Sequence, residues 1–145
     1  MDCVGWVALG FEVVQSVFPG WRFRAPDTVA AFGLHGALYI GQAVTLTPES
    51  RGDWHDRLRR FDIALRRGDG LIEEGRASNV LDGGPLSALR HLVQVLAESP
   101  SCPALAAGEV ITTGTLTNAY PVKAGETWST ASERLPLDDI QISFR

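Results

Sequence analysis

Long apolar runs are scarce in this chain of 145 residues. The one that comes nearest, Val4–Leu9, is short and broken by Gly5, whereas a membrane span needs about 20 consecutive apolar residues. It also lacks the basic flank of an export signal. Cysteine is almost absent: Cys3 and Cys102 stand far apart without metal-ligand spacing, which excludes a disulfide scaffold and a zinc module and predicts free thiols in a reducing cytoplasm. Positive charge is also in short supply, with 13 Lys and Arg against 17 Asp and Glu and a net charge of -4. Five of the basic residues, Arg57, Arg59, Arg60, Arg66 and Arg67, are interleaved with acids, so neither a nucleic acid nor a membrane surface is an expected partner. What is present, 45% hydrophobic and 21% charged residues, is the composition of an ordinary globular domain, and the length suits one domain over 1–145.

Apolar periodicity outlines the elements. The stretch Trp6–Phe18, rich in Val and Phe and stopped by Pro19-Gly20, predicts a buried strand interrupted by one acid, Glu12. Pro26-Asp27-Thr28 starts a short helix through Ala31, ended by Gly33 and Gly36 before an extended Ala37–Ile40. Val44–Thr47 reads as a further strand, and the polar stretch Pro48–Asp56 as an exposed loop. Phe61, Ile63 and Leu65 alternate with polar or small residues, and Arg67-Gly68-Asp69-Gly70 turns the chain into Leu71–Arg76, the pattern of a hairpin. Gly84-Pro85 followed by Leu86, Leu89, Leu92, Val93 and Leu96 gives an amphipathic helix ending near Ser99-Pro100. Ile140, Ile142 and Phe144 form a period-two strand. Strands outnumber helices and do not alternate with them regularly, which predicts an α+β domain with a mixed, largely antiparallel sheet.

Leu105–Glu126 is the most informative segment. It reads as a buried strand leading into a hydroxyl-rich turn, Thr113-Gly114-Thr115, then a second turn at Ala124-Gly125-Glu126. Hydroxyls and free backbone N–H groups at such a turn suit a small carboxylate or oxyanion; β-propensity and a plain bend account for the same residues. Glu12 has two readings. It ligates a hard cation, or it faces a polar side and pairs with a base such as Arg22 or Arg24. Arg22 and Asp27 offer a cation and a short helix start for a substrate carboxylate, or a surface charge and a helix cap. His35 has two readings, an acid or base, or, as is more usual for a lone histidine in an apolar stretch, a hydrogen-bonded core residue; neither His55 nor His91 makes a ligand set with it.

These pieces, in this order, resemble the C-terminal part of the fumarylacetoacetate hydrolase superfamily, in its 2-keto-4-pentenoate hydratase and 4-oxalocrotonate decarboxylase branch. Glu12-Val13-Val14-Gln15-Ser16 resembles that branch's Glu-Ile-Val-Asp-Ser, Trp21-Arg22 its Trp-Lys, and Asp27-Thr28-Val29-Ala30 its Asp-Thr-Val-Ala. Asn79-Val80-Leu81 with Pro85-Leu86 is similar to its Asn-Val-Leu-Gly-x-Pro-Leu. Ala107-Gly108-Glu109 and Thr113-Gly114-Thr115-Leu116-Thr117 are similar to its Ala-Gly-Asp and Thr-Gly-Ser-Leu-Thr, and Pro121-Val122 and Gly125-Glu126 continue the match.

The resemblance implies a rolled, layered β-sheet and lyase chemistry, hydration or decarboxylation, on small 2-oxo acids of aromatic-compound catabolism. It further implies Mg²⁺ or Mn²⁺ held by three carboxylates, with Glu12 the third ligand, Arg22 and Asp27 as catalytic residues, Thr113, Gly114 and Thr115 gripping the substrate's carboxyl end, and a homo-oligomer. A bound cation would stabilise the enolate formed beside the keto group. The departures are specific. The branch's other two ligands form a Glu-x-Glu pair upstream of the Glu12 position, and none precedes it here. Gln15, Val17 and Gly20 stand where Asp, Arg and Asp are usual, and Ala31, Phe32 and Leu34 where Asp, Asn and Ser are. Glu73 and Glu74 are adjacent, so they point to opposite faces of a strand and do not substitute. The expected reading is therefore a lyase-type chain that is inactive in isolation; the rivals are a non-catalytic, truncated or degenerate relative, and a C–C bond hydrolase, for which no general base is evident. A sheet lacking half its fold exposes strand edges, so the chain is predicted to self-associate, and a clean monomer by light scattering counts against it.

Overall fold

A computed structural model describes residues 1–145, with eight strands and three α-helices. The strands are β1 (Trp6–Val7), β2 (Gly10–Val14), β3 (His35–Ile40), β4 (Val44–Thr45), β5 (Asp62–Arg67), β6 (Gly70–Arg76), β7 (Thr127–Ala131) and β8 (Gln141–Ser143); the helices are α1 (Ala25–Ala30), α2 (Arg51–Arg57) and α3 (Pro85–Glu98). Two ribbons, β1–β4 and β2–β3, accompany a four-stranded sheet in the order β6-β5-β7-β8. Every ladder is antiparallel, so the α+β, largely antiparallel expectation holds.

The hairpin β5–β6 forms where alternation placed it. Ile63 and Leu65 point inward as Asp62 and Arg67 face out, and the turn uses Gly68 in the left-handed region, φ 53°. This period-two burial is what a one-faced sheet requires. Helix α3 also follows its sequence signals: Gly84 at φ 79°, Pro85 in the first turn and Ser99 at the C-cap.

Four expectations fail. The stretch Trp6–Phe18 is two short strands in different ribbons, and no residue of either strand is buried. The loop expected at Pro48–Asp56 contains α2 instead. Ser50 and Thr47 exchange side-chain to backbone bonds, Oγ of Ser50 accepting from the Thr47 N–H at 3.0 Å and Oγ1 of Thr47 from the Ser50 N–H at 3.3 Å. Trp54 and Leu58, four residues apart, then share the inward face. The strand expected after Leu105 is absent: the backbone from Cys102 to Ala124 forms no ladder. Conversely, β7 was not foreseen, although it sits between β5 and β8 and buries Trp128 and Thr130.

The core is small. Only 16 of 145 residues are buried, and ten of them, including Trp54, Leu58, Phe61, Ile63 and Ile140, form one cluster. Helix α3 contributes no buried residue despite its amphipathic pattern. Its apolar stripe faces an open cavity. Truncating the most deeply embedded helix residue, Trp54→Ala, is predicted to cost about 3–5 kcal/mol, read as a lowered urea midpoint with little change in slope.

Candidate functional site

The cavity runs between the β2–β3 ribbon, α3, the irregular segment 104–122 and the inner face of the four-stranded sheet, with a volume of about 1680 Å³. It is larger than the roughly 300–1,000 Å³ of a small-molecule pocket. Glu12, Trp21, Thr113, Gly114, Thr115, Asn118, Tyr120 and Trp128 all line it. The structure thus brings Glu12 and the Thr-Gly-Thr turn, a hundred residues apart in sequence, to one space. Arg22 and Asp27 stand outside the lining, adjoining it through Trp21.

Glu12 is not paired with an arginine. Its Oε1 lies 2.9 Å from Nδ1 of His35, which donates across the ribbon. A register shift between Val13 and Val14 offsets the pairing, setting Val14 opposite His35. Both side chains are partly exposed, 34% and 46%, so the expectation of a core histidine fails and His35 is a surface partner for the carboxylate. Asp27 serves as a helix cap, accepting from the Arg24 N–H at 2.8 Å, and Arg22 is exposed.

The Thr-Gly-Thr turn is anchored from β6 and the turn that follows it. Gly114 takes φ 97°, a conformation that costs a Cβ-bearing residue. Asn79 Nδ2 donates to the Leu116 carbonyl at 2.7 Å, and a Cβ at Gly75 would overlap that carbonyl. The backbone N–H groups of residues 113–115 donate to no other backbone group. They are the donors by which such a turn holds an anion.

A second set of residues fixes the far side of this segment, with no motif in the sequence to mark it. Glu73 accepts from the Asn118 backbone N–H at 2.9 Å, the Asn118 amide at 3.0 Å and the Tyr120 hydroxyl at 2.9 Å. Tyr120 stacks on Trp128 with centroids 6.1 Å apart. Trp128 donates through Nε1 to Glu126 at 3.1 Å, and Arg67 lies 5.7 Å from the indole and 3.4 Å from the Glu126 carboxylate. The hydrogen bond to Glu73 raises the Tyr120 pKa, and the Trp128 N–H lowers that of Glu126. Partners 45 and 47 residues apart leave no local signal; the one available cue was a cluster of hydrogen-bonding and aromatic side chains at Asn118, Tyr120 and Trp128.

No group of three His, Cys, Asp or Glu side chains comes together to hold a cation. Glu12 offers one carboxylate, already engaged by His35, whereas hard divalent ions take several oxygen ligands. The residues present therefore do not fit the three-carboxylate centre that the resemblance implies.

No protein-family model matches the chain. It is 29% identical over 125 residues to 2-keto-4-pentenoate hydratase 2 of Dechloromonas aromatica (strain RCB), covering 86% of this chain and 44% of that protein. It is 29% identical over 138 residues to 2-hydroxyhexa-2,4-dienoate hydratase of Comamonas testosteroni, covering 95% and 49%. Among solved structures, 4-oxalocrotonate decarboxylase from Pseudomonas putida G7 complexed with magnesium and adipate superposes with a TM-score of 0.81 at 22% identity, over 97% of this chain and 49% of that one. The same enzyme complexed with calcium and acetate gives 0.76 at 23%. The chain spans about half the length of each.

Because Tyr120 has a raised pKa in the folded state, its bond to Glu73 contributes stability that is present below the ordinary phenol range and lost as pH rises through the folded pKa. Glu126 has the opposite sign: its contribution is present above the ordinary carboxylate range and lost as pH falls through the lowered pKa. In a Tyr39→Phe background, Tyr120 is the one phenol left. Adding Glu73→Gln is predicted to move its ultraviolet titration to lower pH.

Proposed function

We propose that this chain, which resembles the C-terminal part of the 2-keto-4-pentenoate hydratase and 4-oxalocrotonate decarboxylase branch, carries the oxo-acid-binding side of a lyase-type site for small 2-oxo acids of aromatic-compound catabolism. The observation that carries this reading is the convergence of Glu12 with Thr113, Gly114 and Thr115 on one cavity, in a chain whose relatives are named hydratases.

In this reading the N–H groups and hydroxyls of 113–115 hold the substrate carboxylate, and Asn79 and Gly75 keep the turn in place from β6 and its following turn. Arg22 supplies positive charge beside Trp21, and Asp27, with one oxygen committed to the Arg24 N–H, is the proposed proton carrier. The apolar stripe of α3 keeps bulk water from the conjugated part of the ligand. A divalent ion would supply stabilisation of the enolate in the relatives' chemistry. This chain by itself lacks the ligands for it, so the isolated chain binds without turning over.

One observation favours a hydrolytic second reading. His35, oriented through Nδ1 by Glu12, has the arrangement of a carboxylate-positioned base. None of His35, Arg22 and Asp27 lines the cavity, and the lyase reading stands first because the relatives are named hydratases.

Titration with oxalate, followed by amide NMR shifts, is expected to perturb residues 113–115, and Thr113→Val or Thr115→Val to weaken binding about tenfold, as for one lost bond to a charged group. Calorimetry with Mn²⁺ and oxalate is expected to show no saturable metal binding in either the wild type or Glu12→Gln. Saturable metal binding abolished by Glu12→Gln would overturn the absence of a metal centre, and unperturbed 113–115 amides would overturn the binding assignment.

A further inference from the structure

Beyond the cavity the chain encloses a second, smaller hollow of about 250 Å³, lined by His55, Arg59, Gly83, Leu86, Ser87 and Arg90. A pocket for a whole drug-sized ligand measures roughly 300–1,000 Å³, so this one suits a single charged group. Its chemistry is the opposite of the cavity's. Leu86 is the one apolar side chain in the lining, and every ionisable side chain there is basic.

Two helices bring these residues together. His55 and Arg59 are four residues apart on α2 and the turn that follows it, and Ser87 and Arg90 three apart on α3, so each pair shares a helix face. Gly84 lets the two faces meet, because a Cβ there would lie 2.5 Å from the Leu58 carbonyl oxygen, well inside van der Waals contact. Gly83, at φ 87°, keeps the hollow open. A Cβ on it would overlap the Ser87 hydroxyl.

The arginine charge in the hollow is uncompensated. The ion pairs of the chain engage Arg51, Arg57, Arg67 and Arg134, and neither Arg59 nor Arg90 belongs to one. Of the nearby carboxylates, Asp53 is committed to Arg57 at 2.6 Å and Asp56 lies 3.3 Å from Nδ1 of His55. Neither of them lines the hollow, nor does Asp82. Leu86 adds a backbone N–H that donates to no other backbone group. A guanidinium stays charged at any working pH and grips oxyanions through paired N–H donors. A carboxylate brings two oxygens and one charge, whereas a phosphoryl group brings three oxygens and close to two charges at neutral pH. Only the phosphoryl group matches two arginines.

We infer that the hollow between α2 and α3 binds a phosphoryl group, free as inorganic phosphate or borne on a small phosphomonoester. Leu86 alone is common to this hollow and the cavity, so the site is separate from the turn at 113–115. The inference does not depend on the lyase reading.

The test titrates the chain at constant ionic strength with inorganic phosphate, with glycerol 3-phosphate and with acetate, following the amide signals of Gly83, Leu86 and Ser87 and the Nε signals of Arg59 and Arg90. Saturable shifts are expected with both phosphates. Tighter binding of glycerol 3-phosphate assigns the site to an ester, and equal or weaker binding assigns it to the free anion. Arg59→Gln and Arg90→Gln, both at exposed positions, are each expected to weaken binding about tenfold or more, as for one lost bond between charged groups. Arg66→Gln removes the same charge from the β5–β6 hairpin and is expected to leave binding unchanged. Shifts that do not saturate, acetate binding as tightly as phosphate, or Arg59 and Arg90 variants that bind like the wild type overturn the inference. Residues 113–115 are not read in this assay, so its outcome is distinct from that of the oxalate titration.

Discussion

Phe61, Ile63 and Leu65 form the inward row on which the rest of the molecule is assembled. Trp54 and Leu58 of the α2 region pack into the same cluster as Phe61 and Ile63, Ile140 enters it from the approach to β8, and Leu9 and Leu46 tie the first ribbon to it. Because Ala77 continues from β6 into the same cluster and its N–H bonds the Phe61 carbonyl, the row also sets where Asn79 stands. Asn79 in turn holds the Leu116 carbonyl and the turn at 113–115. The packing of one strand is thus transmitted through two hydrogen bonds to the proposed anion grip, which is how a small core can position a loop that has no ladder of its own.

Where local chemistry decides structure, the sequence was readable. The β5–β6 hairpin announced itself through alternation and a glycine turn, and α3 through its stripe and the Gly84-Pro85 start. Where the outcome depends on remote partners, it was not. Strand β7 is Thr-Trp-Ser-Thr-Ala, too polar to stand out, and its place is fixed by pairing with β5 more than sixty residues earlier. Helix α2 was hidden because only Trp54 interrupts its polar run, although Trp54 and Leu58 at helical spacing with Asp53 and Arg57 at i,i+4 were a usable signal. The ordered motifs single out the turn and Glu12 as candidates. They could not show that His35 would take the carboxylate, because a register shift in the β2–β3 ribbon brings the two together.

The relation between the two halves of the proposed site follows from what each element can supply. The irregular segment provides unpaired N–H groups, suited to a carboxylate. The ribbon provides one carboxylate held by a hydrogen-bond partner, too few oxygens for a hard cation. Under the proposed function, a site of this composition recognises the anionic end of a ligand better than it activates a keto group.

Trp21, Phe32 and Leu34 sit in the left-handed region, at φ 56°, 52° and 62°. Each such conformation costs a residue with a side chain about 1–2 kcal/mol. Strain of this kind persists only where surroundings enforce it: Leu34 is buried and its carbonyl accepts from the Gln15 N–H, whereas Trp21 and Phe32 are exposed and α1 between them buries nothing. The segment is therefore the low-stability end of the molecule, held by little of its own. Strained and held by little packing, such a stretch opens more readily than the sheet and is where limited proteolysis is expected to cut first.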